Sequence, residues 1–113
     1  MKRIKTSLEE SNRIYYLVLP VLAIIFLLFE SPYTSILNQY YGYDSAVFMV
    51  VGKGWSKGFV PYSDLFDHKG PFLYLMNALG FSIYDGKLGV LIIQTIFMTA
   101  TLFLIYKIGR LYL

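Results

Sequence analysis

The chain has 113 residues, ten Lys and Arg against seven Asp and Glu, no cysteine, and a hydrophobic share of 57%. A soluble domain carries roughly 45–50% apolar residues, and a chain this short cannot bury the excess, so a water-soluble domain is excluded and lipid is the expected solvent. The basic residues border apolar runs instead of forming one patch, which is the pattern of membrane flanks and argues against a nucleic-acid partner. Without cysteine there is no disulfide, thiol catalysis, S-acylation or thiolate metal site, and the redox compartment stays open.

Residues 1–13 are polar and read as a cytoplasmic lead-in, with Thr6 or Ser7 as an N-cap and Glu9 and Glu10 in the first turn. The uninterrupted apolar run 14–29 predicts a first transmembrane helix of roughly 24 Å, with Tyr15 in the interface and a kink at Pro20. No small-x-small cleavage site follows Phe29, which favours a retained anchor over a signal peptide.

Residues 30–70 are too polar to span and too aromatic for a free linker, and are expected to form an ordered extracytoplasmic loop. Within it, residues 44–57 have helical periodicity, with Val47, Phe48, Val51 and Trp55 on one face and Ser45, Gly52, Lys53 and Ser56 opposite. This predicts an amphipathic helix along the membrane surface. Gly58 and Pro61 end it, and a turn-rich connector follows in which Tyr62 anchors in the interface and Asp64 accepts local backbone hydrogen bonds.

The run 71–84, opened by Pro71, predicts a second transmembrane helix, residues 85–87 a cytoplasmic turn, residues 88–106 a third span and residues 107–113 an extracytoplasmic end. So short a turn makes the last two spans an antiparallel hairpin, with Asn77, Gln94, Thr95 and Thr99 available for interhelical hydrogen bonds. The expected fold is an all-α membrane protein with three transmembrane helices and a helical extracytoplasmic loop. Basic residues tie between the two sides of that arrangement. The basic flank before the first span and Glu30 after it place the N-terminus in the cytoplasm, for a multi-pass protein of the cytoplasmic membrane.

The loop concentrates the ionisable groups Asp44, Asp64, Asp67, His68 and Lys69. Gly52-Lys53-Gly54 lacks the rest of a Walker loop, and the single histidine excludes an H-E-x-x-H zinc site. Asp67 and His68 could help bind a divalent cation only with ligands from elsewhere, so the cofactor stays unknown and a divalent metal has no support in the sequence.

The stretch Tyr43-Asp44-Ser45-Ala46-Val47-Phe48, then Gly58-Phe59-Val60-Pro61-Tyr62-Ser63-Asp64-Leu65-Phe66-Asp67-His68-Lys69-Gly70-Pro71 and an apolar helix, resembles the first extracytoplasmic loop of GT-C superfamily glycosyltransferases. It is most similar to bacterial members related to protein O-mannosyltransferases and lipid A aminoarabinose transferase. The resemblance implies a polyprenyl-phosphate-linked sugar as donor, a cell-envelope acceptor, and transfer outside the cytoplasmic membrane. It covers about two thirds of this chain, and the helical domain of such enzymes is much longer. The chain then corresponds to the N-terminal portion, inactive alone and completed by further C-terminal helices or a partner membrane subunit. A second reading is a noncatalytic small membrane protein or stabilising subunit that retains the scaffold.

The resemblance also implies residue roles. Asp44 matches the acidic residue that acts on the acceptor nucleophile, a role a carboxylate fills by accepting a proton. Many members carry a second acidic residue next, where this chain has Ser45. Read from the residues alone, Asp44 is equally an N-cap of the following helix. Lys69 and His68 match the basic groups before a helix-opening proline, where Lys69 pairs with the donor phosphate and His68 donates a hydrogen bond. The competing reading has Lys69 reaching to lipid headgroups and pairing with Asp67.

Overall fold

The computed structural model describes residues 2–31, 35–39, 42–65 and 67–113, with side chains from Arg13 onward. Phe66 of the resemblance string therefore lies outside the described residues. All regular structure among them is helical: α1 Lys2–Glu30, α2 Tyr43–Ser56, α3 Pro71–Ile83 and α4 Lys87–Tyr112. The helix expected to start at Thr6 or Ser7 is already formed at Lys2, because Lys, Arg, Leu and Glu are good helix formers, so lead-in and span are one helix.

Arg13–Glu30 and Lys87–Tyr112 are long and apolar enough to cross a membrane, and only 11% and 17% of them is buried. Both therefore lie largely exposed in this chain, as membrane-facing helices do. The second expected span is shorter than required. At 13 residues α3 is roughly 20 Å long against a hydrocarbon core of about 30 Å. It stops because Tyr84 turns extended, at φ −151° and ψ 129°, while its N–H closes on the carbonyl of Gly80.

α1 and α4 pack antiparallel. The rings of Tyr15 and Tyr106 lie 4.4 Å apart and those of Tyr16 and Phe103 5.4 Å apart, and Leu28 shares a groove with Leu88 and Leu91. The end of α1 and the start of α4 are therefore neighbours. Lys87 Nζ donates to the carbonyl of Asn38 at 2.7 Å and ties the chain that leaves α1 to the first residue of α4.

α3 and α4 form the antiparallel hairpin expected from the tight turn, but glycines bring them together. A Cβ on Gly80 would lie 2.8 Å from Val90 Cα, and one on Gly89 would strike the carbonyl of Gly80. Small residues of this kind let helix backbones approach closely without polar side chains between them. Asn77 donates instead to Leu73 of its own helix at 2.9 Å, and Thr95 to Leu91 at 2.8 Å.

α2 runs parallel to α3. Phe48 meets Tyr74 at 6.3 Å between ring centroids, a Cβ on Gly52 would lie 2.9 Å from the Ala78 nitrogen, and Lys53 bonds Asp85 at 2.7 Å. Met49, Val51 and Gly52 are the buried residues of α2. The contact face is thus rotated from the expected one, and Gly52, assigned to the polar side, is where the helices touch. Because α2 and α3 are parallel, the connector 57–70 returns along α2 to reach the start of α3. The turn 85–87, expected on the opposite side of the membrane from the loop, is in direct contact with it.

Gly80→Ala is expected to force α3 off α4, because the atoms it would strike are backbone. Overpacking of this sort costs about 1–3 kcal/mol. Gly109→Ala meets no atom within 4 Å and is expected to be neutral or slightly stabilising. Denaturant unfolding in detergent, followed by circular dichroism, should separate the two variants in that order.

Candidate functional site

The connector between α2 and α3 is built by hydrogen bonds. Lys57 and Gly58 donate to the carbonyls of Gly54 and Trp55, and Phe59 donates again to Gly54. Gly58 closes the helix at φ +96°, a left-handed value that glycine adopts without a Cβ clash. Val60 N–H then donates to Asp64 Oδ2 at 2.8 Å and Asp64 N–H returns to the Val60 carbonyl at 2.9 Å. This is the turn-shaping role the sequence predicts for Asp64. Leu65 fills the space beside Gly54.

Tyr62 stands at φ +68°, the left-handed region that side-chain-bearing residues rarely occupy. Strain of this type costs of order 1–3 kcal/mol and persists where surroundings over-determine it. Here the Tyr62 N–H donates to Leu65 at 2.8 Å and its hydroxyl to the carbonyl of Lys69 at 2.5 Å. The residue expected to anchor in the interface thus clasps its own loop.

The loop is fastened to α3 by Tyr74, which is fully buried. Its hydroxyl donates to Asp67 Oδ2 at 2.6 Å and accepts the Lys69 N–H at 3.1 Å. Its ring meets Tyr62 edge-on at 5.9 Å. Asp67 Oδ1 accepts the His68 N–H at 2.8 Å and lies 3.0 Å from His68 Nδ1. The Tyr74 hydroxyl bond first, then the His68 N–H bond, hold the Asp67 carboxyl below its ordinary pKa, since both favour the anion. In the sequence the ring of Tyr74 reads as part of an apolar run. The available signal was its hydroxyl, which needs a partner when buried, one helical turn after an Asp-His-Lys-Gly string.

The side chains of His68 and Lys69 stay exposed, while the Lys69 backbone is held at both its N–H and its carbonyl. No ion pair joins Lys69 to Asp67 among the described residues, and the Asp67 oxygens are engaged by Tyr74 and His68. Asp44 is exposed in the first turn of α2. The N-cap is Gly42, at φ −67° and ψ 151°, with no side-chain cap bond, so the capping reading of Asp44 is corrected. Since Phe48 lies beside Tyr74 and Gly52 beside Asn77, the parallel register brings Asp44 to the end of the helix pair where Gly70 opens α3. Asp44, His68 and Lys69 thus share one end, although no bond links Asp44 to the other two. Among the described residues no three His, Asp or Glu side chains gather as a metal site would require.

The opposite end of the pair carries Lys53 and Asp85, a residue the sequence reading used only as a turn former. Its carboxyl is also held below the ordinary range, chiefly by the Lys53 bond.

Comparison of the chain with known protein families, with characterised proteins and with solved structures gives no match.

Because its folded pKa is depressed, Asp67 contributes stability that is present above its unfolded value and lost as pH falls through the folded one. The Asp67 carboxyl carbon, followed by NMR in micelles, should titrate below 3.8. In Tyr74→Phe the midpoint should move upward, because the largest stabiliser of the anion is gone. An unchanged midpoint would show that Tyr74 does not hold the loop.

Proposed function

We propose that the chain is the N-terminal part of a membrane glycosyltransferase that moves a sugar from a polyprenyl-phosphate carrier to a cell-envelope acceptor. The observation that carries the reading is the parallel register of α2 and α3, which brings Asp44 in the first turn of α2 to the same end as Lys69, whose backbone is locked by two tyrosines. In this proposal the Asp44 carboxylate takes the proton of the attacking hydroxyl or amine. Lys69 and His68 face the phosphate, whose charge rises as the bond to the sugar breaks. Both helices begin with a glycine cap and no side-chain acceptor, which leaves backbone N–H groups and the positive dipole ends toward the same anion.

The membrane arrangement that fits this reading has two crossings. α1 leaves the cytoplasm, α2 and α3 pack from the far side against the first half of α4 without crossing, and α4 returns. The Lys53–Asp85 and Lys87–Asn38 contacts support it, since groups within bonding distance lie on one side of a bilayer. So does charge. Lys2, Arg3, Lys5, Arg13, Lys107 and Arg110 fall on the cytoplasmic side, and Lys53, Lys57, Lys69 and Lys87 outside. This count, unlike the tie of the three-span arrangement, supports a cytoplasmic N-terminus.

Single cysteines at Ser7, Ser56, Tyr84 and Tyr112 of this cysteine-free chain test the crossings with an impermeant thiol reagent on intact cells. Ser56 and Tyr84 should label together, and Ser7 and Tyr112 should not. Labelling of Tyr112 with protection of Tyr84 would restore three spans.

For the chemistry, Asp44→Asn is the informative change in the protein as it occurs in cells. Gly42 forms the cap, so abundance should hold, whereas loss of a general base lowers the rate by roughly 10² to 10⁴. Lys69→Ala should weaken donor binding with less effect on the saturated rate. Full turnover in Asp44→Asn would favour the noncatalytic reading.

A further inference from the structure

A cleft runs along the α2–α3 pair, with its charged mouth at the end opposite Asp44 and Lys69. It encloses about 530 Å³ between α2, the end of α3 and the start of α4, and is lined by Ala46, Met49, Val50, Lys53, Phe81 and Asp85, with Gly86 and Lys87 closing it. The charges gather at one end: Lys53 bonds Asp85 and lies 5.7 Å from the centre of the Phe81 ring, and Lys87 Nζ is 2.7 Å from the Asn38 carbonyl. From Lys53 back to Ala46 the wall is apolar for two helical turns, roughly 10 Å.

The direction of that wall identifies an occupant. α2 is parallel to α3 and α3 antiparallel to α4, so passing from Lys53 to Ala46 follows α4 from Lys87 into its apolar length. A molecule in the cleft meets two ammonium groups and one carboxylate at the boundary where a membrane-length helix begins. It then meets only hydrocarbon going inward. We infer that this cleft holds one membrane phospholipid, its phosphate at Lys53 and Lys87 and an acyl chain along Val50, Met49 and Ala46. The net positive rim complements a phosphate, and the apolar wall complements a chain that a free phosphate lacks. This site rests on the two-crossing arrangement and is independent of glycosyl transfer.

The test uses the complete chain in mild detergent with phosphatidylglycerol and, separately, with diacylglycerol of the same acyl chains, read by native mass spectrometry. One phosphatidylglycerol should remain bound at collision energies that strip diacylglycerol, and inorganic phosphate should not displace it. Lys53→Glu, which reverses the rim, and Val50→Trp, which fills the wall, should each reduce occupancy at least fivefold at unchanged helicity. Lys57→Gln, outside the cleft, should leave it intact. A photoactivatable group at the end of the acyl chain should label the peptide containing residues 46–50. Equal retention of both lipids, or retention indifferent to Lys53→Glu and Val50→Trp, would overturn the site and leave only annular lipid. Cysteine labelling of the crossings is separate, so failure of the lipid site and failure of the arrangement are distinguishable.

Discussion

Lys53 and Asp85 touch at 2.7 Å although 32 positions apart, and the layout of the molecule depends on what brings them together. The pair is not the glue. Both side chains are well exposed, and surface ion pairs of this kind contribute about 0–1 kcal/mol. The constraint comes from the backbone approaches at Gly52 and Gly80, which seat α2 on α3 and α3 on α4 so closely that a single methyl group would not fit. Once those crossings exist, the helix in the loop and the turn after α3 have to share one end, and the ion pair reports that they do.

The same packing organises chemistry at both ends of the α2–α3 unit. Parallel helices place both N-termini together, and the connector has to return along α2 to reach α3. That return is what delivers residues 67–69 to the end of the pair where α3 begins. Tyr74 then fixes the delivered segment from below with one hydroxyl serving as donor and acceptor, and Tyr62 holds it from the side in a strained backbone conformation. A loop held by a buried hydroxyl offers its exposed cation from a fixed stem, which in the proposed function lowers the conformational cost of ordering that cation on a phosphate.

Much of the helical content was legible in the sequence. Uninterrupted apolar runs gave α1 and α4, periodicity gave α2 to within a residue or two, and Pro71 and Gly86 bounded α3. What the sequence hid is long-range. An apolar 13-residue helix reads as a short span, and the sequence does not show that it packs on α2 and α4. Glycine carries no polarity signal, so Gly52 was placed on a solvent face when it is a contact point. Asp44 stands where an N-cap is plausible by composition, but the cap belongs to Gly42 two residues earlier. Tyr74 was hidden by its own ring, which satisfies an apolar pattern while its hydroxyl does separate work.

The claim on which the rest depends is that α2 and the turn before α4 lie together on one side of the membrane. With Lys53→Cys and Asp85→Cys introduced jointly into the full chain in native membranes, a short bis-maleimide measures it directly. Efficient intramolecular cross-linking is the expected result, because the two side chains meet at 2.7 Å. Absence of cross-linking, with each cysteine reacting singly from opposite sides of a bilayer whose core is about 30 Å thick, would contradict the account.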